Sequence, residues 1–134
     1  MNLSSHGIVA LVRNDEGKFL LLEDSREQML GYWAPPHGRC ETTDISEEAG
    51  IVRETLEETG LAVKPVKKLL TQEADTKVKT VSFWLVELIG GALRIDESET
   101  SNYGWFSIDE ALQIKLYPGT KIFFEKLKTG ELAL

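Results

Sequence analysis

Three glutamates crowd one short stretch of the chain, Arg53-Glu54-Thr55-Leu56-Glu57-Glu58-Thr59-Gly60. Glu54, Glu57 and Glu58 stand at i, i+3 and i+4, a spacing that makes their side chains neighbours on a helix. A helix chosen for stability alone would not carry them there. Glu57 and Glu58 fall in the last turn before Gly60, where the helix dipole presents its negative end and each misplaced charge costs about 0.3 to 1 kcal/mol. Glu54 and Glu58 form a like-charge pair, and Arg53 precedes Glu57 in the weaker order for an i,i+4 ion pair. Carboxylates that repel one another when bare become ligands when a hard divalent cation binds them through oxygen. The competing reading is a solvated acidic face.

The elements around this stretch follow from pattern. Asp44 with Glu47 has the spacing of an N-cap and its N3 partner, so a helix is predicted from about Ile45 to Thr59 with Gly60 as its left-handed stop. At about 100° per residue, Ile45, Ala49, Val52 and Leu56 make an apolar stripe expected to face the core, with Glu47, Glu54, Glu57 and Glu58 on the opposite half. Ahead of the helix, Ile8 to Val12 and Phe19 to Leu22 read as two strands around an Asn-Asp-Glu-Gly turn. "GYWAPPHGRCETTD" reads as a shaped loop, because two successive prolines exclude a helix or a central strand. "LAVKPVKKLLTQE" and "KVKTVSFWLVELIGG" read as two further strands, the second apolar on both faces and therefore central. Ser107 with Glu110 forms a capping box, and "TKIFFEKLKTG" closes as a helix ending at Gly130. Strands and helices interleave, which gives an α/β or α+β class with a mixed sheet covered by helices.

Acidic residues number 22 against 15 basic ones, a net charge of −7. That excludes duplex nucleic acid as a bulk partner, since such binding needs a basic face. A small phosphorylated ligand stays compatible when a divalent cation sits between it and the carboxylates. No stretch is apolar for long enough to span a membrane. Cys40 is the single cysteine, with no partner for an internal disulfide, and the expected location is cytoplasmic. The 134 residues are expected to form one domain, 1–134.

The stretch Gly38-Arg-Cys-Glu-Thr-Thr-Asp44, then eight residues, then Arg53-Glu54-Thr-Leu-Glu57-Glu58-Thr-Gly60-Leu61 resembles the Nudix box of the Nudix hydrolase (MutT-like) family. That pattern is Gly, five residues, Glu, seven residues, then Arg-Glu-U-x-Glu-Glu-x-Gly-U, with U a bulky apolar residue. The second half matches at Arg53, Glu54, Glu57, Glu58, Gly60 and Leu61. There are departures: the first Glu falls on Asp44, one extra residue separates it from Arg53, Thr55 stands where an apolar residue is usual, and His37 replaces the first of two glycines.

The resemblance implies a Nudix-type α/β/α sandwich, its mixed β-sheet between helices, and a pyrophosphatase that cleaves a diphosphate linked to another group with Mg²⁺ or Mn²⁺ and water. It implies Glu54, Glu57 and Glu58 as metal ligands, with the Gly38 carbonyl completing the shell and Glu54 also a candidate to position or deprotonate the water. Arg53 would orient the carboxylates. "E-T-S-N-Y-G-W" from Glu99 to Trp105 is similar to the family's late Glu before a Trp, which makes Glu99 a second candidate base, with Glu97 behind it. Arg39 and His37 are candidate phosphate or base contacts, each weighed against a plain loop residue, and a zinc site is discounted because no second His or Cys stands at ligand spacing. Cys40 reads as a small buried side chain and Trp105 as core.

Substrate signatures beyond the box, a downstream proline or tyrosine, are absent; Thr76, Val78 and Lys79 occupy those regions. Nucleoside triphosphates and related nucleotides are the default expectation, with a homodimer possible by resemblance. The alternative is a Nudix-like module that senses a nucleotide and turns it over weakly or not at all.

Overall fold

The computed structural model describes residues 6–73 and 78–134, so Thr76 lies outside the described residues. β1 (His6–Arg13) and β2 (Phe19–Asp24) form the expected hairpin. Asn14 Oδ1 accepts from the N–H groups of Glu16 and Lys18 at 3.0 and 2.9 Å, and Gly17 supplies the positive φ of 74° that closes the turn. The strands pair at the turn end, Arg13 opposite Phe19, and then diverge. Into the gap runs the segment expected to be a loop. Its ends are short strands: β3 (Trp33–Ala34) pairs with β2, and β4 (His37–Arg39) pairs with β1. Pro35 and Pro36 form the apex between them, where a residue without an N–H leaves no donor unpaired. Pro36 still contributes an acceptor, its carbonyl taking the Ala10 N–H at 2.8 Å.

β5 (Leu61–Glu73), β6 (Thr80–Gly91) and β7 (Thr100–Phe106) complete a seven-stranded mixed sheet. Its order is β3-β2-β1-β6-β5, with β4 on β1 and β7 on β2. β6 runs parallel to β1 and antiparallel to β5, central as its two-faced apolar run predicts. Alternation along β1 then builds two cores. Ile8, Ala10 and Val12 pack with Leu20 and with Ile51 of α1 (Glu47–Thr59) on one face. Val9 and Leu11 pack on the other face with Ala111 of α2 (Ile108–Ala111) and Phe123, Phe124 and Leu127 of α3 (Pro118–Thr129). Helices thus cover both faces of a mixed sheet, the expected α/β/α sandwich. The Ser107–Glu110 capping box is present, and Gly130 ends α3 with φ of 81°.

Two expectations for α1 are corrected. Its N-cap is Ser46, whose Oγ accepts from Ala49 N at 3.1 Å, so the helix starts at Glu47 and Asp44 caps nothing. Its buried face is Gly50, Ile51, Thr55 and Thr59, while Ile45 is 94% and Leu56 50% exposed. The apolar stripe marked the wrong side because the inward side of this helix is partly polar. Its C-terminal end is as predicted: Gly60, at φ of 75°, donates to Leu56 O at 2.9 Å.

Candidate active site

Arg53 is the hub of the acidic helix. Its Nε and Nη2 donate to the two carboxylate oxygens of Asp44 at 2.8 and 2.9 Å. Nη1 donates to Glu54 at 3.0 Å and Glu57 at 3.1 Å, and Nη2 also reaches the Arg39 carbonyl at 3.1 Å. Asp44, its side chain 6% exposed, accepts as well from Glu41 N at 2.8 Å. The bidentate Arg53 bond holds the Asp44 carboxyl below the ordinary carboxylate range. Despite the extra residue in the loop, Asp44 therefore meets Arg53 and fixes its guanidinium.

Glu54 and Glu58 turn inward, half-buried, toward β4. A Cβ placed on Gly38 would fall on the Glu54 carboxylate, so a glycine is required for that close approach. Burial pushes the Glu54 carboxyl up, against the pull of Arg53. Burial also pushes Glu58 up to about 7, with Glu54 and Glu99 adding to the rise; the His37 ring and the His37 N–H, donated at 3.1 Å, oppose it. Glu57, at 60% side-chain exposure, sits at the rim.

Glu99, in the turn before β7, lines a pocket with Glu58 and His37. His37 Nδ1 donates to Pro35 O at 2.9 Å and its ring meets the Tyr117 ring edge-on at 5.4 Å. Trp105 packs against the α1-side core and Cys40 is buried, both as expected. Arg39 lies exposed on β4 and is not part of the pocket wall. The structure brings together Gly38, Glu54, Glu58, His37 and Glu99 and leaves Arg39 outside.

Among the pocket residues not found from the sequence are Asp24, Arg26 and Tyr117. Asp24, 6% exposed, accepts from Arg26 Nε at 3.0 Å, Arg26 Nη2 at 2.7 Å and Arg26 N at 2.8 Å, and from the Tyr117 hydroxyl. Burial works to raise the Asp24 carboxyl, but these bonds together hold it low. One sequence signal existed: Asp24 continues the alternation of the buried Leu20 and Leu22, and a carboxylate in a core register calls for a partner. Tyr117 carries no local signal.

As their side chains are placed, no three His, Cys, Asp or Glu among the described residues converge to hold a metal ion: Glu54 and Glu57 turn to Arg53, and Glu58 to the His37 N–H. The donor chemistry nevertheless fits a hard cation. It is all oxygen, two of its carboxylates are pushed toward the protonated form by burial, and the backbone beside Glu54 is bare at Gly38.

In the assembled chain, a helix bearing clustered carboxylates packs over a mixed sheet against a glycine-bearing strand. The family model described as NUDIX domain matches residues 4–127, and the chain belongs to the Nudix family, whose members are hydrolases acting on pyrophosphate bonds. It is 30% identical over 126 residues to a bis(5'-nucleosyl)-tetraphosphatase (asymmetrical) from Sus scrofa, covering 89% of this chain and 84% of that one. It is 32% identical over 105 residues to an NAD-capped RNA hydrolase from Chromobacterium violaceum, covering 78% of this chain but 38% of that longer one. Among solved structures, a MutT protein from Methanosarcina mazei Go1 superposes with a TM-score of 0.76 at 27% identity, covering 94% of each chain.

Proposed function

We propose that residues 1–134 form one hydrolase domain that cleaves the diphosphate linkage of a nucleoside diphosphate joined to another group, by metal-assisted attack of water on phosphorus. One observation carries this reading. Glu54 points inward against Gly38 and Glu58 inward to the His37 N–H, where burial raises both carboxyls, although a stability-driven helix would turn them to solvent.

Glu54, Glu57, Glu58 and the Gly38 carbonyl would hold Mg²⁺ or Mn²⁺. Such an ion, when bound, neutralises the diphosphate and acidifies water. Arg53 orients Glu54 and Glu57 and is itself fixed by Asp44. As the water oxygen bonds to phosphorus, either Glu54 or Glu99 takes its proton, and the bridging P–O bond breaks with its electron pair leaving on the departing phosphate. His37 and the pocket wall face the phosphates, while Arg39, from the rim, serves as an outer contact. Nucleoside triphosphates are the default substrates, and the Sus scrofa relative puts dinucleoside polyphosphates beside them.

The test is turnover of nucleoside triphosphates, dinucleoside polyphosphates, nucleotide sugars and dinucleotide cofactors, with and without Mg²⁺ or Mn²⁺, products being separated by chromatography. Metal-dependent release of a mononucleotide is expected, reduced by about 10²- to 10⁴-fold in Glu54→Gln and in Glu57→Gln. Ligand binding without any cleavage would instead support the sensing module, in which Arg53 keeps hold of Glu54 and Glu57.

A further inference from the structure

Beside Glu58 and Glu99, the far wall of the pocket is built by Arg26 and Tyr117. Among the described residues lining it, Arg26 alone carries a permanent positive charge. Its guanidinium is not a loose surface group. Asp24 grips Nε and Nη2 in a fork at 3.0 and 2.7 Å, and the same carboxylate takes the Arg26 N–H and the Tyr117 hydroxyl. An exposed ion pair is worth about 0 to 1 kcal/mol, and would not call for a carboxylate 6% exposed in line with Leu20 and Leu22. Burying Asp24 fixes the guanidinium in place, and Arg26 stays 51% exposed at its side chain. Arg26 lines the pocket, and among the described residues no acceptor meets its Nη1, so this planar, immobilised fork keeps two N–H groups without a protein acceptor. A phosphate fits that edge, and prior fixation lowers the entropy lost on binding.

We infer that Arg26 anchors the phosphate chain beyond the bond that is cleaved, so that the site takes nucleotides with three or more linked phosphates. This rests on the reading of α1 as the diphosphate-cleaving centre. Asp24 and Tyr117 are positioning residues: they act through Arg26.

The test measures binding of tripolyphosphate, pyrophosphate and orthophosphate to the whole chain in Mg²⁺ by calorimetry, for the wild type, Arg26→Gln and Arg26→Lys. Gln leaves Asp24 its backbone N–H and the Tyr117 hydroxyl; Lys keeps the charge and loses the fork. Arg26→Gln is expected to weaken tripolyphosphate binding by about 10- to 100-fold, with Arg26→Lys in between. Orthophosphate should change by less than about twofold, and in turnover KM for a nucleoside triphosphate should rise with kcat held within about twofold. Equal weakening of all three probes, no weakening, or loss of kcat at constant KM would each overturn the anchor. If Arg26→Gln lowers Tm, the double variant Asp24→Asn/Arg26→Gln removes the buried charge; it should regain Tm and still bind tripolyphosphate weakly, and tight binding by it would overturn the inference. Should the wild type cleave no nucleotide yet bind tripolyphosphate through Arg26, the hydrolase reading fails and Arg26 remains a phosphate-chain contact of a binding site.

Discussion

Glu58 is held where its charge is unwelcome. Its carboxyl titrates at about 7 in the folded chain against an ordinary value of 4.5, chiefly because of burial. As pH rises, the unfolded chain gives up this proton first, so stability falls between about 4.5 and 7 and the penalty is complete above 7. Glu58→Gln stays neutral throughout and keeps an acceptor for the His37 N–H. Its Tm should exceed that of the wild type at pH 8, the difference should shrink to nothing near pH 4.5, and hydrolysis should be lost. A Tm that falls at pH 8 would show Glu58 to be a structural carboxylate. At this scale the sequence was legible for the glutamates, Arg53 and Gly38, because helix spacing and dipole cost expose residues that stability does not explain. Asp24 carried one signal, its place in the core register of β2, but Arg26 and Tyr117 were illegible: 91 residues separate them, and the contact exists only once β2 and α3 are assembled.

Between the residues and the sheet, α1 shows why periodicity located the helix but misjudged its face. Hydrophobic spacing assumes that the inward side is the apolar one. Here the first turn is tied to the sheet by Glu47, which accepts from Trp84 Nε1 at 3.1 Å and Lys68 Nζ at 2.8 Å. Burial opposes ionisation of Glu47, yet these bonds and that of Ser82 outweigh it and hold the carboxyl near 2. The last turns face inward with Glu54 and Glu58, so four of the inward positions are acidic or threonine and the apolar Ile45 and Leu56 are left outside. Thr55 is the weak point of that face: it is fully buried and its Oγ1 has no hydrogen-bond partner. Thr55→Val keeps the shape and removes the unsatisfied hydroxyl, a gain of about 1 kcal/mol or more, which in a domain of this size corresponds to roughly 3 to 5 °C in Tm. Activity should be unchanged, and a fall in Tm in thermal denaturation would show that the hydroxyl is satisfied. The wedge of β3 and β4 between β1 and β2 was equally hidden, since Pro35-Pro36 announces a break in a strand but not that both flanks find partners.

Across the whole molecule, a net charge of −7 sets the terms on which a polyanion is admitted. Self-repulsion of that size is relieved by any added salt, so a rise in Tm with Mg²⁺ is not by itself evidence of a site. The proposed function makes two sharper demands. At about 100 times its Kd a cation that binds only the folded chain stabilises it by about 2.7 kcal/mol, roughly 10 °C here by the size scaling of unfolding entropy, whereas NaCl at matched ionic strength should give far less. The second demand concerns protons. A carboxylate must be bare to ligate, and Glu58 is mostly protonated below about 7, so the Mg²⁺ effect should be large at pH 8, smaller at pH 6, and accompanied by proton release in calorimetry at pH 6. Screening predicts no such release, because it acts on the net charge and needs no group to lose a proton. Equal shifts with Mg²⁺ and NaCl, or no release of protons on Mg²⁺ binding at pH 6, would return α1 to an acidic face without a metal, and with it would go the mechanism that depends on Glu54, Glu57 and Glu58 acting together.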